Sequence, residues 1–218
     1  MKKKNYLAAL LKGCQSNGLN NQLMIIGGFF ILLLSSCGGE NQETNSKPPN
    51  ILFVISDDQS FYHTSFEGSK FVNTPAFDRI AKEGVYFTNA MAGSPGCAPS
   101  RSSIITGRHH WQNESSGQHA APWLKKHVPF VDILEENGYK TGRTGKGVSP
   151  FRYARNENDS LWRKTDAAGI EHSKIRYEEG PEDLRPADKI SNINYYENFK
   201  FFMENERADK PFFFWFGA

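Results

Sequence analysis

The run Ile51-Leu52-Phe53-Val54-Ile55-Ser56, followed by Asp57-Asp58, opens the folded part of this 218-residue chain. A short continuous apolar segment predicts a strand that is buried on both faces, as in a parallel sheet. Ligands of open α/β sheets gather at the carboxyl ends of the strands. The two carboxylates after this strand therefore indicate where a site would lie.

Strand and helix signals alternate along the rest of the chain. Thr74-Pro75 predicts the start of a helix that Gly84 ends, and residues 85–90 predict a short strand. The further predicted elements are a helix from Pro99 to Thr106, a helix around Val131 and Leu134, a strand over 139–144, a helix over 195–206 and a strand over 211–216. This order predicts an α/β layered fold with a mainly parallel central sheet.

One motif combines a thiol, a guanidinium and a helix start: Cys97-Ala98-Pro99-Ser100-Arg101, continued by Ser102-Ser103-Ile104-Ile105-Thr106-Gly107-Arg108. Pro99 suits the first turn of a helix and Gly107 suits its end. Cys97 would then lie at the positive end of the helix, and Arg101 could hold oxyanion oxygens in a fork. The motif predicts an anion-handling site. The alternative is an ordinary loop cysteine before a capped helix.

The string Cys-x-Pro-Ser-Arg with a following Thr-Gly resembles the signature of the formylglycine-dependent sulfatase family, within the alkaline-phosphatase-like superfamily. The likeness extends over about residues 49–218 and includes Asn73-Thr74-Pro75-Ala76-Phe77-Asp78-Arg79-Ile80-Ala81 and Gly84-Val85-Tyr86-Phe87-Thr88-Asn89-Ala90. It implies an alkaline-phosphatase-like fold. In that family the cysteine is oxidised to formylglycine, whose hydrate attacks sulfate.

The resemblance also implies roles for individual residues. Asp57, Asp58 and the formylglycine from Cys97 would bind Ca²⁺. Arg101 would stabilise the formylglycine hydrate, and Lys146 would bind a sulfate oxygen. Two adjacent carboxylates are in themselves hard ligands that suit Ca²⁺ or Mg²⁺. Taken alone, however, such a pair is more often a solvated strand end.

The segment Gly145-Lys146-Gly147-Val148-Ser149-Pro150 departs from many sulfatases, which carry a histidine at the position of Val148. It is more similar to the Gly-Lys-Gly-x-x-Pro string of bacterial heparan N-sulfatase-like lipoproteins. Lys146 remains a candidate for catalysis and substrate binding, although a lysine in a glycine turn can also be a surface residue. His119, in a Gly-Gln-His turn, is a further candidate substrate-binding residue.

Residues 1–37 resemble a bacterial lipoprotein signal. Three lysines near the start precede an apolar core over 23–34, which at roughly a dozen residues is too short to span a bilayer. Leu34-Ser35-Ser36-Cys37 resembles a lipoprotein cleavage site, at which Cys37 would be lipidated. These features predict a lipid-anchored protein of the bacterial periplasm or cell surface, with 38–48 as a flexible tether. An uncleaved amino-terminal anchor is the alternative.

Charge and cysteine content limit the partners. The chain has 26 Lys and Arg against 24 Asp and Glu, a net charge of +2, so a strongly basic groove for nucleic acid is not evident. Of the cysteines, Cys14 and Cys37 lie in or next to the leader. Cys97 is therefore the candidate free thiol of the mature chain, which excludes an internal disulfide framework.

The resemblance implies a calcium-dependent hydrolase of sulfate esters or sulfamates, with a sulfated glycan as substrate and a sulfatase-maturing enzyme as partner. A phosphonate or phosphodiester hydrolase with the same nucleophile is one alternative. A non-catalytic lipoprotein that only binds sulfated glycan is another. The strand at 211–216 resembles the family strand that leads into a histidine-bearing loop, and the later metal ligands of the family are absent. We therefore expect residues 49–218 to be the amino-terminal part of a longer enzyme.

Overall fold

The computed structural model describes residues 47–149, 151–153, 156, 158–177 and 190–218. The predicted signal, the lipidation site Cys37 and nearly all of the tether lie outside these residues. Within them, no helix combines the length and the apolar character that crossing a bilayer requires.

Three strands form one parallel sheet: β1 (Ile51–Ile55), β2 (Lys140–Gly145) and β3 (Phe212–Gly217). The order across the sheet is β1-β3-β2, so β3 lies in the middle although it comes last in the sequence. The register places Gly217 beside Ile55 on one side and beside Gly145 on the other. The carboxyl ends of the three strands therefore lie at one edge.

The helices are α1 (Pro75–Glu83), α2 (Cys97–Thr106), α3 (Phe130–Glu136) and α4 (Tyr195–Phe201), with 3-10 turns over His110–Gly117 and a π-helical turn, Phe202–Glu206, after α4. Pro75 opens α1, and Gly107 ends α2 with a left-handed φ of 65°. These bounds agree closely with the sequence prediction, and the parallel sheet with helices confirms the α/β class.

Aromatic residues of β3 form the core on both faces of the sheet, because successive side chains of a strand point to opposite sides. Phe213 and Trp215 belong to a buried cluster that includes Ile105 of α2. Phe212 and Phe214 pack against Phe202 on the other face. The sheet is therefore covered by α2 and α3 on one side and by α4 on the other.

The strand that is buried on both faces is β3, whereas the sequence predicted this for β1. Leu52 and Val54 of β1 are 47% and 61% exposed, whereas Phe53 packs against the core. Among the described strands β1 pairs with β3 alone. The prediction for β1 is wrong in this part of the chain because an apolar run does not reveal which neighbours cover it.

The strand predicted for residues 85–90 is absent from the described structure. Val85 and Phe87 are 81% and 72% exposed, while Tyr86 packs against Phe66 and its hydroxyl donates to Glu67. No described strand lies alongside to supply the backbone hydrogen bonds that define a sheet.

Candidate functional site

The end of β1 and the start of α2 line a pocket of about 590 Å³. Asp57 and Asp58 enter it from the end of β1. Cys97, Ser100 and Arg101 enter it from the first turns of α2. Two segments that are far apart in the sequence therefore share one cavity at the carboxyl edge of the sheet, where α/β proteins bind ligands.

Backbone hydrogen bonds fix the residues that follow the strands. The amide of Asp57 donates to the carbonyl of Ala218 at 3.0 Å, and the amide of Lys146 donates to the carbonyl of Gly217 at 2.9 Å. Because β3 lies between β1 and β2, both residues meet above its end. The structure thus brings Lys146 to the site although 89 positions separate it from Asp57.

A turn at Asp58 lets both carboxylates reach the pocket. Adjacent residues of an extended strand point to opposite faces, so two neighbouring aspartates can share a site only if the chain bends. Asp58 has a φ of 55°, in the left-handed region. Such a conformation costs a non-glycine residue about 1–2 kcal/mol. Asp58 thus stores local strain at the point where the chain enters the pocket.

Asp57 is bound by two cations. The Nζ of Lys146 donates to its Oδ2 at 2.5 Å, and the Nη2 of Arg101 donates to its Oδ1 at 3.4 Å. Burial by itself would raise the pKa of Asp57, but the hydrogen bond and charge of Lys146, with a smaller effect of Arg101, lower it. Asp57 is therefore an anion at neutral pH.

Lys146 also lies beside Cys97. Burial by itself would lower the pKa of Lys146, but the hydrogen bond and charge of Asp57 and a hydrogen bond with Cys97 raise it. Cys97 is a free thiol, half-buried, and the first residue of α2. It thus lies where a helix start offers unpaired N–H groups and a positive dipole end.

Arg101 lies on the buried face of α2, and its side chain is only 2% exposed. Its Nη1 donates to the carbonyls of Lys146 at 2.8 Å and Gly147 at 2.9 Å. Its Cζ lies 5.9 Å from the ring centroid of Trp215. A buried charge requires such partners. The guanidinium therefore ties the start of α2 to the turn that carries Lys146.

Trp215 is a site residue that sequence analysis missed. Its Nε1 donates to the carbonyl of Lys146 at 2.9 Å, the same oxygen that Arg101 binds. From the sequence, Trp215 was only one member of an apolar strand. The available signal was its indole N–H, because a buried tryptophan usually needs an acceptor for that group.

Glycines allow the ends of β2 and β3 to approach closely around Lys146. A Cβ on Gly217 would lie 1.9 Å from the carbonyl oxygen of Lys146. A Cβ on Gly145, whose φ is +69°, would lie 2.1 Å from the carbonyl oxygen of Gly217. Both positions thus need glycine, and Lys146 projects from a tightly closed turn.

Comparison with known proteins gives the family of the chain. Residues 49–217 match the model of the Sulfatase family. The chain belongs to the sulfatase family. An N-acetylgalactosamine-6-O-sulfatase of Bacteroides thetaiotaomicron is 38% identical over 110 residues, which are 46% of this chain and 21% of that protein. An ulvan-active sulfatase of Formosa agariphila is 31% identical over 147 residues, 65% of this chain and 26% of that protein.

Solved structures place this sulfatase chain in the alkaline-phosphatase-like fold. One of them, a protein in complex with its substrate D-glucosamine-2-N,6-O-disulfate, superposes with a TM-score of 0.54 at 23% identity. The match covers 78% of this chain and 34% of that one. The matched regions make up 21% and 26% of the two curated relatives above. The chain therefore shares only part of the length of its relatives.

The pocket contains two carboxylates of the kind that could bind Ca²⁺. Asp57 and Asp58 both line it and offer the hard carboxylate oxygens that Ca²⁺ prefers, and Cys97 lines the same cavity. Among the described residues, no three His, Cys, Asp or Glu side chains form a cluster that could hold a metal ion by itself. The two carboxylates would therefore need further ligands to hold such an ion.

The structure does not bring His119 to this pocket. His119 is exposed, after the 3-10 turns, and is not among the described residues that line the cavity. His110 lies closer, because its Nδ1 is 3.0 Å from the carbonyl oxygen of Gly93, which lines the pocket. Nothing in the sequence pattern distinguished His110 from the other histidines of this segment.

The ion pair of Asp57 and Lys146 should make the stability of the chain depend on pH. The pKa of Asp57 is lowered in the folded chain. Its stabilisation of the folded state is therefore fully present above the ordinary pKa of 3.8 and is lost as pH falls through the lower pKa of the folded state. The pKa of Lys146 is raised in the folded chain. Its stabilisation of the folded state is therefore fully present below the ordinary pKa of 10.5 and is lost as pH rises through the higher pKa of the folded state.

Urea unfolding of wild type and Lys146→Met in calcium-free buffer at several pH values measures this effect. We expect the difference in unfolding free energy to be largest between those two ordinary pKa values and to shrink on either side of the plateau. A difference that does not vary with pH would contradict the ion pair.

Proposed function

We propose that this sulfatase hydrolyses sulfate esters or sulfamates of glycans, with a formylglycine made from Cys97 as the nucleophile. The observation that carries the proposal is that Cys97, Arg101 and Asp57 line one pocket, and that Lys146 binds Asp57 and lies beside Cys97. The similarity to an N-acetylgalactosamine-6-O-sulfatase and to an ulvan-active sulfatase supports a glycan substrate.

The charges around Cys97 suit a sulfate group. An ammonium has three N–H donors, so Lys146 can serve Asp57, Cys97 and a sulfate oxygen at once. Arg101, held rigidly by backbone carbonyls, would stabilise the hydrate formed at residue 97. Preorganised cations of this kind stabilise the negative charge that gathers on oxygen in the transition state.

The reaction consumes one water molecule. The hydrate at residue 97 supplies an oxygen that attacks sulfur, and the bond from sulfur to the glycan oxygen or nitrogen breaks. The proton lost by the attacking hydroxyl is balanced by one gained by that glycan atom, which leaves as an alcohol or amine. Collapse of the sulfated hemiacetal then expels sulfate and restores the aldehyde, which water hydrates again. The nucleophile is thereby regenerated without an external oxidant or reductant.

Release of inorganic sulfate tests the proposal. The longer enzyme expected from the sequence, produced together with a sulfatase-maturing enzyme, should release sulfate from N- or O-sulfated disaccharides and from a chromogenic aryl sulfate. Faster turnover of a phosphonate ester or phosphodiester, assayed in parallel, would favour the other hydrolase of the superfamily. Binding of sulfated glycan without any turnover would favour a non-catalytic protein and contradict the proposal.

Asp57 and Asp58 would hold Ca²⁺ in this pocket, where the ion would offset negative charge on the sulfate oxygens. We expect a chelator to abolish sulfate release and added Ca²⁺ to restore it. Asp57→Asn should weaken calcium binding in a calorimetric titration because the ligand loses its charge. Asp78→Asn, in α1 and outside the pocket lining, is the control and should bind Ca²⁺ like wild type. Full activity of exhaustively chelated, metal-free protein would exclude the calcium site.

The proposed location is a bacterial membrane surface, with Cys37 as the lipidated residue and a lipid anchor rather than a spanning helix. Growth of expressing bacteria with a fatty-acid analogue should label the protein. Cys37→Ser should lose the label, while Cys14→Ser should keep it. Equal labelling of both variants would refute Cys37 as the attachment site.

A further inference from the structure

Asp166 binds the backbone of the turn that carries Lys146. Its Oδ1 accepts hydrogen bonds from the amides of Val148 at 3.1 Å and Ala168 at 2.8 Å, and the Nε of Arg143 lies 3.9 Å away. The Asp166 side chain is 8% exposed, and Val148 and Ala168 are fully buried. Loss of the carboxylate would leave two buried N–H groups unpaired, which is costly.

The same carboxylate occupies the space where residue 147 would carry a side chain. A Cβ on Gly147 would lie 2.5 Å from Oδ1 and 2.6 Å from Oδ2 of Asp166. The φ of Gly147 is not in the left-handed region, so the backbone does not require glycine there. Gly147 is thus needed because Asp166 packs directly against its Cα.

The turn is held from two sides. Arg101 and Trp215 bind the carbonyl of Lys146 and Arg101 also binds that of Gly147, while Asp166 binds the next amide along the chain. These contacts fix the two successive peptide groups that follow Lys146. A shift of this segment would move the Lys146 ammonium and the two carbonyls that orient Arg101.

We propose that Asp166 is a positioning residue for sulfate ester hydrolysis, which fixes the turn of Lys146 and Gly147 and thereby orients Lys146 and Arg101 towards the sulfate. The role rests on the proposed function. It is distinct from substrate contact, because the buried Asp166 carboxylate acts through the backbone of the turn.

The packing part of the proposal is tested without any assay of turnover. Gly147→Ala should lower the urea midpoint of unfolding in the wild-type background, because the added methyl group meets the carboxylate. In an Asp166→Ala background the methyl group has room, so the same substitution should lower the urea midpoint much less. An equal shift of the midpoint in both backgrounds would overturn the contact.

The positioning part requires kinetics with a matched control. Asp166→Ala should lower kcat about 10²-fold, since a misplacement of about 1 Å has effects of that size. Asp166→Asn keeps an acceptor oxygen and should recover much of the loss. Asp78→Ala removes a carboxylate that binds Ser65 and Thr74, away from the turn, and should lower the urea midpoint while leaving kcat within about twofold of wild type.

Two failures can be distinguished. If Asp166→Ala changes kcat no more than Asp78→Ala, while Cys97→Ala abolishes sulfate release, the positioning role is overturned and the proposed function stands. If Cys97→Ala keeps turnover, the proposed function falls and with it the role in hydrolysis. The double-mutant measurement on Gly147 and Asp166 still decides whether the carboxylate holds the turn.

Discussion

Cys97→Ala removes sulfate release, with an expected loss in kcat of about 10⁴-fold or more, because deletion of a nucleophile abolishes the covalent route. The thiol lies at the start of α2, beside Lys146 and within the pocket. Alanine cannot be oxidised to an aldehyde, so no maturing enzyme can restore the activity. Sulfate release measured by ion chromatography gives the result.

Ser103→Ala is the control for Cys97→Ala because Ser103 belongs to the same helix and its hydroxyl donates to the carbonyl of Pro99 at 3.0 Å. Its turnover should stay within a few-fold of wild type. Both variants should unfold near the wild-type midpoint, since neither removes a large buried side chain. Wild-type turnover by Cys97→Ala would contradict a nucleophile at residue 97.

Arg101→Ala lowers the free energy of unfolding by about 3 kcal/mol, because hydrogen bonds to charged groups are strong and buried acceptors lose their donor. The guanidinium donates to two backbone carbonyls and to Asp57. Arg101→Lys should restore less than half of the loss, since an ammonium cannot reproduce the planar fork. Sulfate release should fall in both variants.

Arg79→Ala is the matched control for Arg101. The Arg79 side chain is 73% exposed on α1 and lies 4.0 Å from Glu83, a weak surface pair. Its loss should change the free energy of unfolding by no more than about 0.5 kcal/mol. If Arg101→Ala costs no more than Arg79→Ala in urea titrations, the buried guanidinium does not hold the site together.

Local signals in the sequence predicted the elements well. Pro75 and Gly84 bound α1, and Gly107 ends α2, because proline and glycine act on the backbone of their own position. The sequence motif also located Cys97 and Arg101 one turn apart on a helix. Such features depend on a few neighbouring residues, which is why a single sequence reveals them.

Features that depend on distant contacts were not predictable in this way. Arg101 and Lys146 are 45 positions apart, and their shared contact with Trp215 exists because β3 inserts between β1 and β2. The exposed face of β1 was not predictable for the same reason, because an apolar run such as 51–55 indicates a strand but not the elements packed against it. The family resemblance nevertheless implied that Asp57 and Lys146 belong to one site.

The most direct test of the formylglycine chemistry is mass spectrometry of the proteolytic peptide that contains Cys97. Protein produced with a sulfatase-maturing enzyme should yield a peptide in which an aldehyde replaces the thiol and reacts with a hydrazide probe. The peptide of Cys97→Ala should show neither change. If only the unmodified thiol is found, while the same cells convert a known sulfatase, residue 97 is not the formylglycine nucleophile.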